Sequence, residues 1–249
     1  MSASSSLSSK VALVVGGSRG IGAAAARKLA SMGAQVAVTY KTRRDAADEV
    51  VSDITEAGGK AAAFEADIVQ APAIDSLLQA VSARFGGIDI LVNSAGIAPY
   101  RPLGSMDAAF VREIMDANVV GTVLLTQAAV PLMTSPGGRI VHFSSRLATS
   151  PIPTSSVYAA SKAAVSALVH AFSKELGPKG ITINAVAPGV IETDMTAAII
   201  QERGRAIRST TPLGRIGQPD DIAGIVAFLA SPDSDWITGR TILADGGLS

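Results

Sequence analysis

Tyr158 and Lys162 stand four residues apart in Ser156-Val157-Tyr158-Ala159-Ala160-Ser161-Lys162, a spacing that puts both side chains on one face of a helix. A free phenol titrates near pH 10 and is a weak acid–base group at neutral pH. An ammonium about 4 Å away, at an effective dielectric near 20, favours the phenolate by roughly 4 kcal/mol, close to three pKa units. The pair is therefore expected to bring Tyr158 towards a working pH. Ser144 and Ser145 end a preceding β-branched run, and Ser145 can donate to an oxygen on which charge develops. Alone, a tyrosine and a lysine at helical spacing are often plain surface neighbours, so their meaning depends on what surrounds them.

A second cluster is Gly16-Gly17-Ser18-Arg19-Gly20-Ile21-Gly22, which passes from an apolar run straight into an alanine-rich one. Glycines at a strand-to-helix turn let backbone approach a pyrophosphate, and the helix start offers N–H groups and a positive dipole end. Dinucleotide sites that take NAD place a carboxylate about 20 residues further on, against the ribose. Here that position reads Thr39-Tyr40-Lys41-Thr42-Arg43-Arg44, with no carboxylate at the strand end. A 2′-phosphate would meet cations instead, at about 1.5–3 kcal/mol per charge-assisted hydrogen bond, roughly tenfold or more in preference. Arg19, Lys41, Thr42 and Arg43 are the expected phosphate contacts, with Tyr40 beside them, and NADP(H) is the expected cofactor with NAD(H) as the second choice. The plain alternative is a solvated basic helix start, with Asp45 close by. Asp67 and Ile68 follow a third run, and Asn93-Ser94-Ala95-Gly96 a fourth, both at the strand ends where a doubly wound sheet holds its ligand. Asp67 can accept from an adenine amino group or merely cap a helix. The small residues after Asn93 leave room for a ribose or form an ordinary turn.

The elements that must position these groups are legible as alternating short β-branched runs and longer alanine-rich stretches. Strands are expected at 11–15, 35–39, 61–65, 88–92, 139–143, 182–186 and 241–243. Helices are expected at 21–31, 45–57, 73–85, 107–133, 156–176 and 220–230. Right-handed crossovers then give an α/β fold: a single-domain Rossmann fold with a doubly wound, seven-stranded parallel sheet and helices on both faces. No linker divides the 249 residues, so residues 10–249 read as one domain after a serine-rich, disordered tail at 1–9. The stretch 190–218, without a clear strand, is expected to be a mobile segment covering substrate.

Composition narrows the function classes. The 21 basic and 21 acidic residues cancel and form no block that would attract nucleic acid or an anionic membrane. There is no cysteine, which excludes thiolate metal sites and disulfide scaffolds. No signal-type leader or membrane-length apolar run occurs, so a cytoplasmic protein is expected. His142 and His170 lack a carboxylate cluster and are read as structural, so no metal is expected. Trp236 is expected to pack in a core or subunit contact.

Taken together, from Lys10 to Gly247, the chain resembles the short-chain dehydrogenase/reductase family, closest to members like the 3-oxoacyl-[acyl-carrier-protein] reductases. The motifs fall in order: the glycine turn, Asp67, Asn93-Ser94-Ala95-Gly96, Asn118, Ser145, Tyr158, Lys162, Pro188-Gly189, Thr193 and Ala244-Asp245-Gly246-Gly247. The resemblance implies a catalytic set of Asn118, Ser145, Tyr158 and Lys162. Tyr158 would protonate a carbonyl oxygen, Ser145 would orient it, Lys162 would lower the tyrosine pKa and hold a ribose, and Asn118 would anchor a relay water. It implies that Pro188, Gly189, Val190, Ile191 and Thr193 fix the nicotinamide, that Arg19 favours NADP(H), and that the assembly is a homotetramer or a homodimer. Ser94 departs from the asparagine more usual there, which implies a tuned pocket. The interval to Tyr158 favours Ser145 over Ser144. The partner is a small carbonyl or alcohol, met by 95–101, 146–153 and 190–208, where Pro99, Leu103, Ile152 and Met195 are apolar and Arg101 and Arg146 are cationic. The rival readings are an NAD-dependent dehydrogenase of sugars, polyols or steroid alcohols and, more remotely, a dinucleotide-binding sensor without turnover.

Overall fold

The computed structural model describes residues 7–249. Seven parallel strands lie in the order β3-β2-β1-β4-β5-β6-β7. They are β1 Val11–Val15, β2 Gln35–Tyr40, β3 Lys60–Glu65, β4 Ile90–Asn93, β5 Arg139–Phe143, β6 Thr182–Pro188 and β7 Thr241–Ala244. The helices are α1 Gly20–Ser31, α2 Arg44–Glu56, α3 Ala71–Phe85, α4 Ala108–Met115, α5 Gly121–Ala129, α6 Ser156–Leu176, α7 Ala197–Thr210 and α8 Pro219–Ala230.

The central strands are buried on both faces, which is why they read as continuous apolar runs rather than alternating ones. Ala12 and Val14 of β1 pack with Leu29, Val50 and Val226 of α1, α2 and α8, while Val11, Leu13 and Val15 pack with Leu78, Leu125 and Val169 of α3, α5 and α6. The order of strands reverses direction between β1 and β4. Their carboxyl ends diverge there into the glycine turn on one side and Asn93-Ser94 on the other, so the fold opens its crevice at that edge.

Three expectations are corrected. The helix expected at 107–133 is broken: α4 is followed by a π-type turn Asp116–Val120, then α5, then a 3-10 turn Val130–Leu132. The stretch 190–218 is not irregular throughout, since it carries the fourteen-residue helix α7. Its only buried residue is Gly204, so no apolar stripe announced it. Of the expected tail, residues 1–6 lie outside the described residues, but Leu7 is packed into the core beside α1 and donates its N–H to Met32 O. Among the described residues, no helix is long and apolar enough to cross a membrane.

Candidate active site

Ser145 lies two residues past the end of β5, and its Oγ accepts from Leu147 N at 3.2 Å, which fixes the hydroxyl at the carboxyl edge of the sheet. Ser144, by contrast, turns away: its Oγ donates to Lys162 O and pairs with Ser166 on α6. That settles which of the two serines faces the crevice.

Helix α6 begins at Ser156, so Tyr158 and Lys162 lie on its first two turns. Lys162 is buried and donates from Nζ to Phe143 O at 2.9 Å. Burial lowers its pKa to about 8. The ammonium sits 5.9 Å from the Tyr158 ring centre. Here the structure reverses an expectation: Tyr158 is pushed up to about 12 by burial, with the Ser145 hydroxyl opposing and Tyr100 adding to the rise. Spacing along the helix suggested a lysine field on the phenol. In the fold the ammonium donates to a backbone carbonyl, and the half-buried phenol is partly desolvated.

Asn118 lies in the π-type turn, a local widening that recurs at functional sites. Its side chain is held on three sides: Oδ1 accepts from Ile97 N, and Nδ2 donates to Ile97 O and to Ser161 Oγ. A Cβ on Gly96 would lie 3.0 Å from Asn118 Oδ1 and 3.3 Å from Lys162 Nζ, so glycine is what lets these two groups converge. Beneath them run Asn93 Nδ2 to Thr122 Oγ1, Thr122 Oγ1 to Asn118 O, and Thr126 Oγ1 paired with His142 Nε2. His142 is fully buried and its pKa is lowered to about 3, chiefly by desolvation.

The glycine turn lies across the crevice. Gly16 adopts φ +71° and Gly20 φ +51°, and a Cβ on Gly22 would come within 2.3 Å of Gly16 O. Ser18 and Ile21 are half-buried at the turn. Helix α1 starts with no side-chain cap and no acidic residue in its first turn, so its leading N–H groups are open to an anion. This donor set fits a pyrophosphate. Thr193 abuts Gly20, and Gly189 N donates to Ala244 O at the end of β6; Gly189 and Val190 are half-buried, whereas Pro188 is buried and the Ile191 side chain packs in the core beside Gly217, so it serves the core.

At the other end of the turn the cations are where expected but not free. Lys41 pairs with Asp67 at 2.7 Å, Arg43 with Asp45 at 2.8 Å, Arg44 with Asp48, and Arg19 with Asp194. Asp194 also acts on Arg43, so Arg19 and the end of β2 share one neighbourhood. The expected uncompensated cluster is therefore a balanced one. Thr42 is exposed beside it. Tyr40 and Ile68 are buried, Ile68 against Gly121, so their side chains serve the core. Asn93 Oδ1 accepts from Ala95 N, and Ser94 N donates to Val15 O, which makes 93–96 a shaped turn.

Sequence reasoning missed Thr39 and Ser161, and took Tyr100 only as one of the 95–101 substrate stretch. Thr39 Oγ1 accepts from Gly16 N and is a hydroxyl inside an apolar strand, a visible signal. Tyr100 lies 5.8 Å from Tyr158, ring centre to ring centre, and Ser161 ties Asn118 to Tyr158 O. Neither contact leaves a trace in local spacing.

A family model described as enoyl-(acyl carrier protein) reductase matches residues 15–249. An uncharacterized oxidoreductase of Methylorubrum extorquens is 44% identical over 247 residues, covering 98% of this chain and 99% of its own. A 3-oxoacyl-[acyl-carrier-protein] reductase of Synechocystis is 41% identical over 244 residues, 97% of this chain and 98% of the relative. The crystal structure of a short chain dehydrogenase from Burkholderia cenocepacia in complex with NADP superposes with a TM-score of 0.91 at 39% identity, covering 98% of this chain and 99% of that one.

Proposed function

The chain belongs to the short-chain dehydrogenase/reductase family of oxidoreductases, and from that premise we propose that it is an NADP(H)-dependent reductase of ketones or aldehydes in which Tyr158 is the general acid. The observation that carries the reading is the convergence of Ser145, Tyr158, Lys162 and Asn118 at the strand edge facing the glycine turn. The dinucleotide supplies hydride when bound. Ser145 Oγ donates to the substrate carbonyl oxygen, and Tyr158 Oη delivers the proton to the alkoxide as it forms. Lys162 and Asn118 hold the geometry, and the Lys162 ammonium offsets the negative charge that the departing proton leaves on the phenolate. A phenol held at about 12 is protonated at neutral pH and so stands ready as the proton donor that reduction needs.

The NADP(H) preference is supported by Arg19, Lys41 and Arg43 at one edge, and by the NADP held by the Burkholderia relative. The α6 face carrying Ala160, Ala163, Ala167 and Ala171 is exposed, as is Trp236, which does not pack in this chain's core. Both support a homotetramer, or at least a homodimer, of a cytoplasmic enzyme. The substrate class reaches to 3-oxoacyl thioesters through the Synechocystis relative. Initial rates with NADPH across ketones, aldehydes and a 3-oxoacyl thioester, set against NAD+ with sugars, polyols and steroid alcohols, decide it. Reduction is expected to dominate; turnover confined to alcohols with NAD+ would overturn the proposal.

A further inference from the structure

Among the described residues, four arginines are buried or half-buried: Arg27, Arg101, Arg139 and Arg146. The first three each face a carboxylate, namely Asp53, Asp107 and Asp235. Arg101 is further committed by lying over the Phe110 ring, 4.4 Å from its centre. Arg146 alone among these four has no carboxylate within ion-pair distance.

Its position is fixed and close to the chemistry. Arg146 follows Ser145 directly, in the short turn Arg146–Ala148, and its backbone carbonyl accepts from Ser150 N and Thr149 Oγ1. Its charge acts on the Tyr100 phenol, and the Tyr100 ring lies against Tyr158. Half-buried Arg146 thus stands next to Ser145 in the chain and within electrostatic reach of the Tyr100 phenol, whose ring packs on the catalytic tyrosine. A substrate seated there removes water from Arg146. A neutral substrate leaves that cation desolvated and unpaired, whereas an anionic one supplies the missing partner, and Arg is suited to a carboxylate by its two-pronged donor geometry. Discrimination of this kind comes as much from the penalty on the neutral substrate as from the bond to the charged one.

We propose that Arg146 is a specificity residue that binds an anionic group, a carboxylate, carried by the ketone substrate, so that the enzyme reduces oxo acids in preference to their neutral esters. This rests on the reductase reading above. Apolar Pro99 and Ile152 and the Tyr100 ring would then receive the carbon chain between ketone and carboxylate.

The test is kcat/KM for NADPH-dependent reduction of straight-chain oxo acids differing in the ketone position, each beside its methyl ester. The wild-type protein is compared with R146Q and R146K. The acid-to-ester ratio of the best chain length is expected to be about tenfold or more in the wild type, to fall about tenfold in R146Q through KM, and to be partly kept in R146K, which retains a point charge. The wild-type ratio should also shrink as salt is added. If R146Q does not fold, the R146K ratio and the salt dependence decide. A wild-type ratio at or below one, or the same ratio in all folded forms, overturns the assignment. Absence of NADPH oxidation with acids, esters, thioesters and simple carbonyls alike would instead overturn the reductase reading itself.

Discussion

The two ends of the crevice hold their charged and polar side chains in different ways. At the catalytic end, Asn118, Ser145 and Lys162 are buried, and each is bound to backbone atoms: Ile97 and Phe143 from other segments for Asn118 and Lys162, and Leu147 of its own turn for Ser145. At the phosphate end, the side chains of Arg19, Lys41 and Arg43 are 54%, 65% and 52% exposed and are bound to side-chain carboxylates rather than to backbone. The buried set is preorganised, so its dipoles need not reorganise during a reaction. The exposed pairs are weak, are screened by salt, and exchange readily when a phosphate competes for the cation. Chemistry is built into the first region, while the second offers charge that a ligand can claim.

That contrast fixes the order of mutational effects. Tyr158→Phe removes the proton donor from the preorganised end and is expected to lower kcat for ketone reduction by about 10²–10⁴-fold, read from initial rates of NADPH oxidation. Unchanged rates would mean that the buried set is not the catalytic one.

The column beneath Asn118 gives a stability effect next in size. His142 titrates at about 3 when folded against an ordinary 6.5, so the unfolded chain takes up a proton that the folded chain refuses. Stability is therefore retained above pH 6.5 and lost as pH falls towards 3, by roughly 3 kcal/mol at pH 4 from this group alone. Urea midpoints measured from pH 7 to 4 check this, and His142→Leu should flatten that part of the slope.

The lysine gives a smaller, graded effect. With Lys162 at about 8, its charge is present below that pH and lost above it. The reductive kcat should be level on the acid side of pH 8 and fall by about tenfold per pH unit beyond it. A break displaced to the ordinary lysine range would mean that Lys162 is better hydrated than its packing against Phe143 implies.

At the exposed end, the double variant Lys41→Ala, Arg43→Ala is expected to lower the NADPH-over-NADH preference by about tenfold, and by less as ionic strength rises. A loss of 10³-fold or more would place the phosphate end in the same class as the catalytic end and break the comparison.

The same contrast explains what could be read from the sequence. Strands β1 and β5 and helix α6 have their expected limits because burial on both faces, or a long small-residue pattern, dictates composition locally. The glycine turn and the Tyr158–Lys162 pair are contiguous, so spacing reveals them. Long-range partners are not contiguous. Asp45 beside Arg43 was legible, but Asp67 and Asp194 reach the cations from 26 residues beyond Lys41 and 175 beyond Arg19, and so that part of the balance of charge was invisible. The π-type turn at Asn118 has the composition of ordinary helix, and α7 buries too little to leave a stripe. Helical spacing also brought Lys162 near Tyr158 without revealing that both are desolvated, which reversed the sign of the tyrosine shift.

The most direct test of the account is a fluorescence titration of the wild-type protein with NADPH and with NADH at one fixed, moderate ionic strength. Tighter binding of NADPH by about tenfold or more is the predicted result. Equal affinity, or a preference for NADH, would contradict it, removing the phosphate site and moving the oxidative dehydrogenase to first place.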